Sequence, residues 1–198
     1  MATTYPANTS APLPDTRWRT RDIVVAAVIG VAFGVVFWVW GLAWSGPIDL
    51  AFAFAPALKD LGYAVWLIPA VLAPLIIRKP GAALFAEMVA AGVSAILGSQ
   101  WGVDTLLSGF VQGAAAELVF AFTLYSIWTF PVLAVAAVAS AAAAWIHDWA
   151  IWYPTVDVGV QLVRGLLMAI SAIVIVAGGS LALHRSLKRA GVLEGFPD

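Results

Sequence analysis

Two carboxylates stand inside stretches that are otherwise mostly apolar, Glu87 in RKPGAALFAEMVAAGVSAIL and Glu117 in SGFVQGAAAELVFAF. An ionisable side chain at membrane depth costs roughly 2.5–3.5 kcal/mol on insertion scales, so it normally faces a partner, a cavity or a transport path. A second constellation follows, in which Trp145, Asp148, Trp149 and Trp152 take the i, i+3, i+4, i+7 spacing of one helical face. Gln100, Trp101, Gln112, Gln161 and Arg164 add amides, an indole and a cation. Carboxylates and amides accept hydrogen bonds from exocyclic amines and ring N–H groups, and tryptophan faces stack on aromatic rings or hold cations. These residue types suit recognition of a small, flat molecule that is cationic or rich in donors. An intramembrane enzyme would need a nucleophile or a metal pair, and Asp148 beside His147 completes no such constellation.

The composition says where these residues must sit. The chain has 198 residues, 63% hydrophobic and only 11% charged, with a mean hydropathy of +0.96. Its apolar runs are too long and too frequent for a soluble core and suit a bundle of spanning helices. The net charge of -1 and the lack of a basic patch interleaved with aromatics argue against nucleic acid as a partner. With no cysteine, disulfides, thiolate catalysis and cysteine metal sites are excluded. The two histidines, His147 and His184, lie far apart, so no metal cluster is legible and no cofactor is implied.

The elements that must position the polar groups read as an all-α, six-helix membrane bundle. Residues 1–16 form a disordered tail, residues 17–190 the membrane domain, and residues 191–198 a second tail. The spans are expected at about 23–44, 61–77, 81–97, 104–126, 130–152 and 158–183. Arg17, Arg19 and Arg21 precede a first run long enough to span, which predicts a retained helix capped by Thr20 or Asp22 in place of a cleaved signal. Residues 48–60 form an outer loop, and Pro69 and Pro74 kink the second span. Arg17, Arg19, Arg21, Arg78, Lys79, Arg185, Lys188 and Arg189 all fall on the side of the termini, which makes that side cytoplasmic.

Depth then follows from helical rise. Gln112 sits roughly 12 Å and Glu117 roughly 20 Å below the outer start of the fourth span, while the tryptophan face, Gln161 and Arg164 occupy the outer halves of the last two. Together with Gln100 and Trp101 in an outer turn, they predict an outward-opening cavity. Other readings stay open: Glu117 could neutralise Arg164, Glu87 could be structural, and the tryptophans could form an interfacial belt, Trp152 above all. Ala26, Gly30 and Gly34, four apart, make a groove for close helix approach, either within the bundle or to a partner.

Read together, the basic Arg17-Trp18-Arg19-Thr20-Arg21-Asp22, then RKPGAALFAEMVAA, GSQWG and QGAAAELVFA, resemble the YkoE family over nearly all of residues 17–190. These are substrate-binding S components of energy-coupling factor (ECF) transporters, associated with thiamin or its hydroxymethylpyrimidine precursor. The resemblance implies a multi-pass protein of the prokaryotic cell membrane, with a vitamin bound near the extracellular side. It also implies a separate coupling membrane protein and two ATPases. The chain carries no GxxxxGK[ST] phosphate loop of its own. In such components the small-residue face of the first helix docks on the coupling protein, which maps here onto Ala26, Gly30 and Gly34. The implied capture step has a tryptophan stacking on the pyrimidine while Glu117, Gln112 and Gln100 read its amino edge. A proton-coupled secondary transporter using Glu87 and Glu117 as titrating groups is the competing expectation.

Overall fold

The computed structural model describes residues 16–196. The tail expected at the N-terminus lies, but for Thr16, outside the described residues, as do the last two residues of the C-terminal tail. Six helical spans follow in order: α1 (Thr20–Ala51), α2 (Pro56–Ile77), α3 (Ala82–Ile96), α4 (Asp104–Phe122), α5 (Phe130–Ile151) and α6 (Val158–Arg189). Among the described residues there is no strand. Five of the spans are long and apolar enough to cross a membrane, and α3 is the short one at 15 residues. Its length of about 22 Å falls short of the roughly 30 Å hydrocarbon core. It packs between α1 and α4, while its last residue, Ile96, stays exposed.

The close approach of α1 and α3 is the work of small residues. A Cβ on Gly30 would stand 2.6 Å from Val89 Cβ, and one on Gly34 2.5 Å from Val93 Cβ. Ala26 is fully buried on the same face. The groove expected to dock a partner is therefore filled from within by α3, which corrects that expectation in favour of internal packing. What α1 turns outward is a row of exposed valines, Val24, Val28, Val31 and Val35. At its start Arg19 is the cap residue, and Asp22 serves from the third position by accepting the Arg19 N–H at 2.9 Å. Near its other end the helix widens to π winding over Trp44–Ile48 around Pro47, whose ring nitrogen has no hydrogen to donate.

The centre of the bundle is α2. Every residue from Pro69 to Ile77 is buried, and the helix begins at Pro56, five residues before its expected start. Its first part, Pro56–Leu67, is wound as a 3-10 helix, and α winding begins at Pro69. Pro69 thus opens a helical segment, where its fixed φ and missing N–H cost least. With three residues per turn, side chains at i and i+3 eclipse, so Asp60, Tyr63 and Trp66 stack in one column. Asp60, expected in an exposed loop, is fully buried in the bundle.

The chain reverses tightly at the end that holds the termini. Arg78 at φ +54 closes α2 and Gly81 at φ +86 precedes α3. At the opposite end α6 is capped by Asp157, whose carboxylate accepts the Gly159 N–H at 2.8 Å.

Candidate ligand-binding site

A cavity with about 650 Å³ of empty space, its open mouth included, lies in the half of the bundle away from the termini. All six helices contribute to its lining. One wall is aromatic. Trp44 and Trp66 meet edge to face with ring centroids 4.9 Å apart, Tyr63 and Trp66 at 5.2 Å, and Trp66 and Trp101 at 5.3 Å. Such contacts fix each ring against its neighbours, and the Trp40 indole pins the wall further by donating to the Gly62 carbonyl at 3.0 Å.

At mid-depth on α3 stands Glu87, fully buried and lining the cavity. Neither of its carboxyl oxygens has a hydrogen-bond partner; the Ala70 backbone lies near enough to act on the group but makes no bond of normal geometry. Glycines on α4 bring this part of α3 in close. A Cβ on Gly113 would fall 2.9 Å from Glu87 Cβ, and one on Gly109 2.6 Å from Ala91 Cβ. The residue between them that faces the cavity is Gln112, whose amide donates to Ser108 Oγ at 2.6 Å and Tyr63 Oη at 3.3 Å.

Nearer the mouth the network turns acidic. Tyr63 donates to Asp148 Oδ1 at 3.3 Å, and His147 Nδ1 lies 3.2 Å from the same oxygen. The other ring nitrogen of His147 is 3.1 Å from Asp104 Oδ1, while Asp104 Oδ2 accepts the Trp152 indole N–H at 2.8 Å. Across the cavity Arg164 Nε donates to Asp60 Oδ2 at 2.7 Å, and its guanidinium lies 3.8 Å from the Tyr153 ring centroid. Asp60 balances Arg164, which leaves the carboxyl groups of Glu87, Asp104 and Asp148 at the cavity, with His147 against the last two. An acid-rich aromatic box attracts a cation or an array of donors.

Of the residues expected at the site, Glu87, Trp101, Gln112, Asp148 and Arg164 line this cavity together. Five others lie elsewhere. Gln100 donates to the Gly41 carbonyl at 3.3 Å beside a separate small pocket. Trp145 and Trp149 pack against each other at 5.2 Å, and the Trp145 indole donates to the Gln161 carbonyl at 2.9 Å, tying α5 to α6. Gln161 is fully buried, donates to the Tyr153 carbonyl at 2.8 Å and accepts from Arg164 at 3.4 Å.

Glu117 sits at the opposite end of the bundle. It accepts the N–H groups of Gly81 at 2.5 Å and Ala83 at 2.9 Å, and the Tyr125 hydroxyl at 2.8 Å. It caps the start of α3, where unpaired donors and the helix dipole favour an anion. In the connector after α4, burial and the Glu117 carboxylate push the Tyr125 phenol above its usual range, so it remains a donor. The alternative that Glu117 neutralises Arg164 is excluded, since Arg164 pairs with Asp60.

Sequence reasoning passed over Trp44, Tyr63, Trp66 and Asp104 as site residues and assigned Trp152 to an interfacial belt, yet all five line the cavity. The signal for two of them was the spacing of three from Asp60 through Tyr63 to Trp66.

A helical membrane bundle, closed at one end and hollowed into a ligand-sized acidic aromatic pocket at the other, is the architecture of a subunit that captures a solute. Comparison with known proteins narrows the class. A family model described as "ABC-type cobalt transport system, permease component" matches residues 21–143. A crystal structure of an S-component of an ECF transporter has a TM-score of 0.84 and 33% identity, covering 90% of each chain. The putative HMP/thiamine permease protein YkoE of Bacillus subtilis (strain 168) is 35% identical over 180 residues, 90% of this chain and 89% of that protein. The chain is an S component of the ECF type, a multi-pass cell-membrane protein that binds a ligand and works with other ECF subunits. It belongs to the YkoE family.

Proposed function

We propose that this S component captures thiamin or its hydroxymethylpyrimidine precursor from outside the cell and passes it inward in an assembly with a coupling membrane protein and two ATPases. The observation that carries this reading is Glu87, a buried carboxyl without a partner beside an aromatic wall. An unpaired buried carboxyl is costly, and an aminopyrimidine supplies the donors that would satisfy it while its ring lies against the indoles. Gln112 and Asp148 offer further polar contacts to the same ligand. The printed name of the Bacillus subtilis relative supports the same ligand class. Among the described residues no group of three His, Cys, Asp or Glu side chains could hold a metal ion, which favours an organic ligand over the cobalt of the family description.

The clustering of Arg17, Arg19, Arg21, Arg78, Lys79, Arg185, Lys188 and Arg189 at the terminal end supports cytoplasmic termini and hence an extracellular mouth. Titration of intrinsic tryptophan fluorescence with thiamin and, separately, with hydroxymethylpyrimidine tests the ligand. Saturable quenching is expected, and the tighter ligand names the cargo. No response to either compound would overturn the ligand assignment. Uptake by the lone chain in liposomes would replace the ATP-driven assembly with a proton-coupled carrier.

A further inference from the structure

The ligand reading makes no use of His147, which stands behind the mouth-lining Asp104 and Asp148. Its side chain is buried and touches a carboxylate on each side, Asp148 of its own helix at 3.2 Å and Asp104 of α4 at 3.1 Å. A neutral imidazole carries one N–H and one lone pair, so it can donate to only one of two carboxylates; the imidazolium donates to both. The same two carboxylates hold the rest of the mouth. Asp104 accepts the Trp152 indole, and Asp148 accepts the Tyr63 hydroxyl, which in turn accepts from Gln112. One ring thus joins the first turn of α4, the last turns of α5 and the 3-10 part of α2.

We propose that His147 is a positioning residue of the cavity mouth, whose imidazolium ties α4 to α5 through Asp104 and Asp148 and so keeps the mouth drawn in. Loss of the proton leaves one N–H for two carboxylates: a ring that gives it to Asp148 of its own helix faces Asp104 with a lone pair, so the tie to α4 is held in only part of the population. The mouth is then tight at acidic pH and loosens as pH rises through the titration of the ring. The titratable and charged groups that surround this network are Asp104 on α4, Asp148 on α5, Asp60 and Tyr63 on α2, and Arg164 on α6. Asp60 and Arg164 neutralise each other and Glu87 stands on α3 deeper in the cavity, which leaves His147 as the titratable group that touches both mouth carboxylates.

Two readouts separate this device from the ligand assignment on which its second half rests. The chain contains no cysteine, so spin labels can be placed at Val103→Cys and Ile151→Cys alone, exposed positions beside the first turn of α4 and at the end of α5. In the ligand-free protein the distance between them should be short and narrowly distributed at pH 5.5, and longer or broader at pH 8.5. His147→Gln and, as a second variant, Asp104→Asn should give a distribution that does not respond to pH. A distribution in the parent protein that is the same at both pH values, or one that still responds in His147→Gln, overturns the proposal. With thiamin as probe, dissociation should quicken roughly tenfold over the same range, the loss of one charge-assisted hydrogen bond, and lose that dependence in His147→Gln. Were thiamin not to bind at any pH, the ligand assignment would fall and the labels would still decide the role of His147.

Discussion

Glu87 and Glu117 are the same residue type on neighbouring helices, each set in an apolar run, and the bundle treats them in opposite ways. Glu117, at the terminal end, has two backbone N–H groups and a tyrosine hydroxyl on its oxygens. Glu87, at the cavity, has none. Depth alone does not tell the two carboxyl groups apart; the state of their hydrogen bonds does. A fully satisfied carboxylate contributes to the fold, and a buried one left unsatisfied is a cost that the native state bears for another purpose. The comparison generates opposite expectations for the two residues, and these can be measured.

The largest effect belongs to Glu117→Ala. It strips the start of α3 of its acceptor and leaves Gly81, Ala83 and Tyr125 without their partner, at a cost of about 3 kcal/mol. Thermal unfolding in detergent should show a lower midpoint, while the folded fraction keeps its ligand affinity within about twofold. A loss of affinity at unchanged stability would reverse the assignment and move Glu117 into the binding machinery. Glu87→Gln should do the converse. The amide keeps the volume but replaces one carboxyl oxygen with a donor nitrogen, so ligand affinity should fall about tenfold with the unfolding midpoint unchanged, because the carboxyl has no protein partner to lose. Unchanged affinity with lowered stability would make Glu87 a structural group.

The contrast between these residues also marks how far the sequence could be read. Run length and composition were enough for an all-helical bundle with six spans, since a chain with this fraction of apolar residues has few other ways to satisfy its backbone in lipid. Helical rise placed Glu117 roughly 20 Å from the start of its helix, and the sequence reading still set it in the cavity, whereas the bundle carries that depth past the cavity to the far end. What the sequence could not supply was the partner. The N-terminus of α3 is a strong anion site only when α4 is laid beside it, and that juxtaposition depends on Gly109 and Gly113, whose role is visible only in the packing. The column of Asp60, Tyr63 and Trp66 was hidden for a different reason. Read at 3.6 residues per turn these positions drift around the helix, and they align only in the tighter 3-10 winding. Asp60 was consequently left in a loop and Arg164 without its true partner. The small-residue groove of α1 was legible as a close contact, but two occupants fit the same spacing. The choice of α3 was settled by Val89 and Val93.

Trp152 offers the finest test of where the site ends. By sequence it is an interfacial anchor, and at 43% exposure it still has the surface of one. Yet its indole donates to Asp104 at 2.8 Å, on the carboxylate that also meets His147. An anchor acts through its apolar ring at the lipid boundary, so Trp152→Phe, which keeps a ring and removes the donor, should leave an anchor's function intact. If the indole instead helps to hold Asp104 in place, the substitution frees one carboxylate oxygen at the mouth. Because the bond is partly open to solvent, water takes over some of its role, and the expected loss is about 0.5–1 kcal/mol, or two- to fivefold in affinity. The measurement is a titration of the remaining tryptophan fluorescence with the ligand that the parent protein binds. An affinity equal to the parent's would draw the boundary of the site inside Trp152 and return that residue to the lipid interface, whereas a two- to fivefold loss extends the acidic network to the surface of the molecule.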